Sequence, residues 1–191
     1  MNVLFFAVLA TAGIVILKRE GVSFAAASLK ARLRLRNISR KDWLLVVVGV
    51  VIVDGSYIAL MSVGEPLAGL LPGWMSAPYR TGAEADPSGD YLGLLPFSGM
   101  ILFNIGSEEF LWRGCVLPRQ ELCHGRRTWW IHGLQWALFH WFQAWHLPAI
   151  LPGALVHGWL STRTQSMVPC LGLHLGLNGL GIIMLAVLLV G

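Results

Sequence analysis

The sequence predicts an all-α, polytopic membrane protein with about six transmembrane helices in one integral membrane domain, residues 1–191. Of its 191 residues, 55% are hydrophobic and only 13% are charged, whereas a soluble domain has about 25% charged residues. The mean hydropathy of +0.64 agrees with this prediction. The net charge of +4 comes largely from one short basic stretch. It therefore indicates topology and lipid headgroup contact, and not binding to nucleic acid.

The first predicted span is the apolar run 2–17, which Lys18 and Arg19 follow. A cleaved signal peptide has its positive charges before the apolar run, so we interpret this run as a retained span with the N-terminus outside. Residues 18–42 contain eight Lys and Arg residues and form a predicted cytoplasmic loop. Its part 24–36 is amphipathic and is expected to lie on an anionic leaflet, although a solvated basic loop explains the pattern equally well.

The second predicted span, residues 43–63, contains Asp54 within its apolar sequence. This carboxyl group could serve the site, but we expect it to form a structural hydrogen bond with another helix, because Gly55 indicates close packing there. Residues 64–90 are rich in Pro, Gly and acidic residues, which is typical of an external loop.

Four more spans are predicted, the first of which carries two glutamates and is expected to end before Pro118. They cover residues 91–117, 129–146, 149–162 and 167–190. With the N-terminus outside, three connecting segments face inwards and hold twelve of the fourteen Lys and Arg residues. Those segments are 18–42, 118–128 and 163–166. The charge bias therefore agrees with the topology.

Two adjacent carboxylates and one arginine lie inside the third span, in the stretch 107–114. Each charge buried in lipid costs on the order of 2.5–3.5 kcal/mol on insertion scales. These three charged residues are therefore expected to have a structural or functional role. Glu109 and Arg113 are spaced i,i+4 and are predicted to pair. Glu108 is turned about 100° away and has no evident partner in the sequence. A paired and a free carboxylate suit catalysis, but a charge cluster that only locks helix packing is also possible.

Later spans place further polar residues at a similar depth. At a rise of ~1.5 Å per residue, His140, His174 and Asn178 lie within several ångströms of the depth of Glu108. Water beside a base within lipid is suited to hydrolysis. The other histidines have a simpler interpretation, either as satisfied core residues or, at position 124, as a loop residue. The core histidines are His132, His146 and His157.

The order of these motifs is similar to that of the CAAX protease and bacteriocin-processing (CPBP, Abi) family of glutamic intramembrane endopeptidases. The motifs are Glu-Glu-x-x-x-Arg at 108–113, aromatic-x-x-x-His from Trp136 to His140, and His-x-x-x-Asn from His174 to Asn178. The resemblance covers roughly residues 91–180, the catalytic motif core. Trp136 stands where many members have phenylalanine, so this chain also has an aromatic ring at this position.

The resemblance implies a role for each motif residue. Glu108 and His140 would activate a water molecule. His174 and Asn178 would hold the oxyanion of the tetrahedral intermediate. Glu109 and Arg113 would orient the site, and no cofactor or metal is implied.

The expected activity is hydrolysis of a peptide bond in a membrane-tethered peptide or protein tail. The lipid bilayer is the other expected partner. We expect a prokaryotic plasma (inner) membrane location, with the active site opening towards the cytoplasm.

Three alternatives stay open from the sequence. A zinc protease could use His140, His174 and a glutamate, although no His-Glu-x-x-His motif is present. A thiol enzyme could use Cys170, which is spaced i,i+4 from His174. A non-catalytic membrane protein, such as an immunity factor, scaffold or proton-coupled carrier, could also use buried Glu and His residues.

Overall fold

The computed structural model describes residues 3–70, 72 and 91–190, and this part of the chain is all-α. Within it, six helices have twelve or more residues, and two shorter helices connect them. The long helices are α1 (Val3–Arg19), α3 (Arg40–Ala68), α4 (Tyr91–Glu109), α6 (Thr128–Phe139), α7 (Leu147–Thr164) and α8 (Val168–Val190). The short ones are α2 (Ala26–Arg32) and α5 (Leu117–His124). The all-α prediction is confirmed.

One helix in the described part, over Arg40–Leu60 of α3, is long and apolar enough to cross a membrane by length and composition. Three of the other helices differ from a simple hydrophobic span in length or charge. Helix α1 has 17 residues and α6 has 12, whereas a straight span needs about 20. Helix α4 ends in two glutamates.

The predicted end of the third span before Pro118 is wrong. After α4 the chain continues as a π-helix, Phe110–Val116, and then directly as α5. Pro118 lies in the first turn of α5, where a proline needs no backbone hydrogen bond and its fixed φ is compatible with a helix. The helical rod therefore passes through the proline after a local change in winding.

The fourth span was predicted as one helix over 129–146, and this is also wrong. Helix α6 ends at Phe139, and His140 has φ −87° and ψ 21°, outside the α-helical region. The backbone N–H of His140 donates to the Ala137 carbonyl at 2.9 Å, which tightens the last turn. A 3₁₀ segment, Trp141–His146, leads into α7. His140 therefore lies at the end of a helix and not within one.

Helices α6 and α7 pack against each other through small residues. A Cβ atom on Gly133 would lie 2.8 Å from the carbonyl oxygen of Ala154, and one on Gly158 would overlap the carbonyl of Trp129. Glycine at both positions lets the two backbones approach closely. On the other side of α7, an apolar cluster ties it to α3 and α8. This cluster is Val46, Leu160, Cys170 and Leu173.

The predicted amphipathic segment 24–36 contains α2, and its Leu33 packs in a cluster with Leu17, Cys115 and Met167. The predicted bond of Asp54 is not found in the part that the structure describes, because Asp54 Oδ2 is buried there without a partner. The contact between helices in this region is made by Tyr57, whose hydroxyl lies 3.0 Å from His146 Nε2. Helix α3 extends into the predicted external loop, and most of the rest of that loop lies outside the described residues.

Candidate active site

The predicted carboxylates and arginine are buried together where α4 meets the π-helix. Glu109 is 0% exposed, Arg113 1% and Glu108 3%. Glu109 Oε1 accepts a hydrogen bond from Arg113 Nη1 at 3.0 Å, so the predicted i,i+4 pair is confirmed. The Arg113 guanidinium also lies 4.5 Å from the ring centre of Trp136, a cation–π contact.

Glu109 has a second partner that the sequence did not reveal. His174 Nδ1 lies 2.9 Å from Glu109 Oε1 and donates to it. The same carboxylate oxygen thus holds Arg113 from its own helical rod and His174 from α8, 65 residues away. Because Nδ1 is engaged, Nε2 is the atom of His174 that remains for a substrate.

Glu108 appears unpaired in the sequence, but the structure gives it a partner from α6. Trp136 Nε1 donates to Glu108 Oε2 at 3.0 Å. Phenylalanine has no such donor, so the tryptophan at this position adds a hydrogen bond as well as a ring. One oxygen of Glu108 is thereby oriented, and Oε1 is left for other chemistry.

His140 is attached to the same tryptophan. Its Nδ1 donates to the Trp136 carbonyl oxygen at 2.9 Å, and the two ring centres lie 5.0 Å apart. A carbonyl oxygen only accepts, so Nδ1 carries the hydrogen and Nε2 of the neutral ring has a free lone pair. Trp136 therefore connects Glu108 and His140, one through its indole N–H and the other through its backbone.

Asn178 lies one turn beyond His174 on α8 and is half-buried. Its Nδ2 donates to the His174 carbonyl oxygen at 3.1 Å. This bond uses one of the two amide hydrogens, so the second is available as a donor.

His157 is a buried core residue, as the sequence predicted, and it also packs against the candidate site. It is 0% exposed on α7, and its ring centre lies 5.5 Å from that of His174 and 5.2 Å from that of Trp136. The signal that could have found it is depth, since it lies ~7.5 Å from the cytoplasmic end of its predicted span, close to the ~10 Å of His174.

The other two histidines interpreted as core residues are buried and have partners away from this cluster. His132 Nδ1 lies 2.6 Å from Gln120 Oε1, and His146 Nε2 contacts Tyr57. The prediction that these two are core residues is confirmed.

One group in the described part has the spacing of metal ligands, namely Glu109, His157 and His174. Each offers one ligand atom, and these atoms lie within 4.8 Å of one another. The charge of Glu109 is already neutralised by Arg113, which disfavours a divalent cation beside it. His140 is not in this group, so the zinc set considered from the sequence is not assembled among the described residues.

The thiol alternative finds no support in the described contacts. Cys170 Sγ donates to the backbone carbonyl of His157 at 3.3 Å, and the side chain is fully buried. The partner of His174 Nδ1 is Glu109 and not this thiol.

Comparison with known proteins places these residues in a family. Residues 91–180 match the model of the type II CAAX prenyl endopeptidase Rce1-like family. Neither a curated protein nor a solved structure matches the chain significantly. The family consists of CAAX endopeptidases, which are glutamic-type intramembrane proteases embedded in the membrane. Over residues 91–180 the chain therefore carries a domain of the Rce1-like type II CAAX prenyl endopeptidase family.

Proposed function

We propose that the chain is an intramembrane endopeptidase that hydrolyses a peptide bond in a membrane-associated peptide or protein tail. The observation that carries this proposal is the attachment of Glu108 and His140 to the two ends of Trp136. Trp136 thus holds two bases, Glu108 and His140. The second carboxylate of the motif, Glu109, is buried and paired with Arg113.

In this proposal Glu108 and His140 activate the attacking water. Glu108 Oε1 and His140 Nε2 are the acceptor atoms that their bonds to Trp136 leave available. The water gives its proton to this pair while its oxygen attacks the scissile carbonyl carbon, and the proton later passes to the leaving amine. Trp136 fixes both bases, so little reorganisation is needed when the substrate binds.

The oxyanion of the tetrahedral intermediate is held by α8. Asn178 has a second amide hydrogen that can donate to the oxyanion. His174 Nε2 is the second donor when the imidazole carries hydrogens on both nitrogens. In that form His174 makes an ion pair with Glu109. Loss of one such donor typically lowers the rate by ~10²–10³-fold. Glu109 and Arg113 act by orientation, because both are buried and paired with each other.

The proposed setting is a single integral membrane domain with six spans, in a prokaryotic plasma membrane. Support comes from the outer face of α3, where large apolar side chains are exposed, including Leu44, Val51 and Ile58. Such a face is unfavourable in water and favourable in lipid. With the N-terminus outside, the site opens towards the cytoplasm and the inner leaflet, and the substrate enters sideways between helices.

Glu108→Gln tests the chemistry directly. We expect this variant to lose cleavage of lipidated reporter peptides in nanodiscs while its expression and melting temperature stay near wild type. Glu121→Gln makes the same chemical change at a carboxylate outside the site and should retain cleavage. Profiling of protein termini in cells with wild-type protein or Glu108→Gln identifies the substrates.

Each other outcome points to another function. Substantial cleavage by Glu108→Gln contradicts the glutamic mechanism. Loss of wild-type activity on chelation favours a zinc protease, whereas full activity after chelation removes that alternative. Identical termini in the two cell lines favour a non-catalytic membrane role.

A further inference from the structure

Several buried polar atoms around Glu109 have no hydrogen-bond partner among the residues that the structure describes. They are Glu109 Oε2, Arg113 Nε and Nη2, and His157 Nε2. The side chains of Glu109 and His157 are 0% exposed, and that of Arg113 is 1% exposed. A buried polar atom without a partner costs about 1–3 kcal/mol, so four together indicate a shared polar ligand.

The hydrogen-bonding roles of these atoms are defined by their known partners. His157 Nδ1 donates to the Gly153 carbonyl oxygen at 2.8 Å, so Nε2 of the neutral ring is an acceptor. Glu109 Oε2 is a carboxylate oxygen and therefore an acceptor too. Arg113 and His174 both bind the other oxygen, Oε1. The two guanidinium nitrogens are donors. The shared ligand must therefore donate twice and accept at least once.

A water molecule has this combination and fits the spacing. One carboxylate oxygen of Glu109 and one ring nitrogen each of His157 and His174 lie within 4.8 Å of one another. Two hydrogen bonds of ~2.8 Å from one water oxygen, at a tetrahedral angle, span ~4.6 Å. A divalent cation would instead lie beside the guanidinium that already pairs with Glu109 at 3.0 Å, and the two positive charges would repel.

We propose that His157 is a third histidine of the active site, a positioning residue that holds a buried water molecule together with Glu109 and Arg113. The water fixes Glu109 Oε2, while Arg113 and His174 hold Oε1, so the carboxylate cannot rotate. His174 is bonded to that carboxylate and is thereby kept in one orientation. This inference rests on the proposed function for its effect on turnover, but not for its effect on His174.

The test compares His157→Phe with His132→Phe. The two wild-type histidines are equally buried, but His132 Nδ1 contacts the side chain of Gln120 on α5, whereas His157 Nδ1 donates to the Gly153 carbonyl oxygen of its own helix. We expect His157→Phe to lower kcat by ~10–100-fold with KM nearly unchanged, since misplacement by about 1 Å can cost 10²-fold. His157→Gln, which keeps one donor and one acceptor, should recover much of the loss. His132→Phe should turn over like wild type.

A second readout does not depend on turnover. In nanodiscs with ¹⁵N-labelled histidine, wild-type His157 should show its hydrogen on Nδ1, and His157→Phe should shift the ring signals of His174. If the protein cleaves nothing, the proposed function fails, yet these signals still decide whether His157 positions His174. If His157→Phe does not fold, His157→Leu takes its place with the same expectations.

Three results would overturn the inference. The first is a folded His157→Phe or His157→Leu protein with wild-type kcat and unchanged His174 signals. The second is a loss of activity that follows the melting temperature and that His157→Gln does not restore. The third is stoichiometric binding of zinc chloride to wild type that is lost in His157→Phe, which would make His157 a metal ligand.

Discussion

Arg113 is the residue on which the buried charges of the site depend. It neutralises Glu109 at 3.0 Å and covers Trp136 with its guanidinium at 4.5 Å. Glu109 in turn binds His174, and Trp136 binds Glu108 and His140. Both ends of the proposed catalytic arrangement therefore meet at one cation, which is 1% exposed.

Removal of this cation should destabilise the protein as well as inactivate it. Arg113→Ala leaves the buried Glu109 carboxylate without its arginine, with only the hydrogen bond from His174 among the described contacts. Breaking a buried ion pair typically costs about 3–5 kcal/mol. We expect a markedly lower melting temperature in detergent together with loss of cleavage. Arg163→Ala, at an exposed arginine on α7, is the control for the loss of one charge. Unchanged melting of Arg113→Ala would mean that the pair contributes nothing to stability.

At the scale of elements, the π-helix Phe110–Val116 is held in place by the loop that follows α1. Arg32 Nη1 donates to the Gly114 carbonyl oxygen at 2.7 Å, while its Nε and Nη2 bind Glu20. A Cβ on Gly114 would lie 2.8 Å from Leu33 Cδ2, so a larger residue there would force the Leu33 side chain to shift. π-Helical turns often occur at functional sites, and this one contains Arg113.

The contact between this loop and the π-helix should be sensitive to acid. The hydrogen bond from Arg32 lowers the pKa of Glu20 below its ordinary value of 4.5, and Arg119 adds to this effect. A lowered folded-state pKa contributes stability above pH 4.5 that is lost as the pH falls through the folded-state value. Below pH 4.5 we therefore expect lower protection factors for hydrogen exchange in the π-helix, after correction for the intrinsic pH dependence of exchange.

Glu20→Gln should show the same loss of protection already at pH 7, measured as faster exchange in the π-helix than in wild type. Asp42→Asn, which alters an exposed carboxylate bonded to Ser39, should leave exchange in the π-helix unchanged at that pH. Equal exchange in wild type and Glu20→Gln at pH 7 would show that Glu20 does not restrain this segment.

At the scale of the whole molecule, the basic residues define a direction. Arg32, Arg34 and Arg119 lie on the same side as the ends of α5 and α7, where Arg34 also pairs with Glu121 at 2.6 Å. Twelve of the fourteen Lys and Arg residues fall in segments predicted to face the cytoplasm. We therefore expect the proposed site to open towards that side.

Cysteines introduced at Ser39 and Ser88 test this direction. The exposed native Cys123 is first replaced by serine so that it does not react. On intact cells, an impermeant thiol reagent should label a cysteine at position 88 and not one at position 39. Permeabilised cells, in which both should react, provide the control. The opposite pattern on intact cells would invert the protein and place the chemistry on the outer side.

The sequence alone determined the helical class, the Glu109–Arg113 pair and most members of the proposed site. These features depend on local spacing, since residues i and i+4 share a helical face. They also depend on the high cost of charge in lipid, which makes each buried ionisable residue conspicuous. Helix ends were harder to predict, because the π-helix carries the chain through Pro118 and α6 stops at Phe139.

Only the tertiary structure decided which side chains form hydrogen bonds with each other in the proposed site. Trp136 reaches Glu108 across 28 residues of sequence and His174 reaches Glu109 across 65. His157 joins the cluster because Gly133 and Gly158 let α6 and α7 approach closely. Such contacts depend on the rotation of each helix about its own axis and on the distance between helices. Packing of all the helices sets both quantities at once, so no single stretch of sequence specifies them.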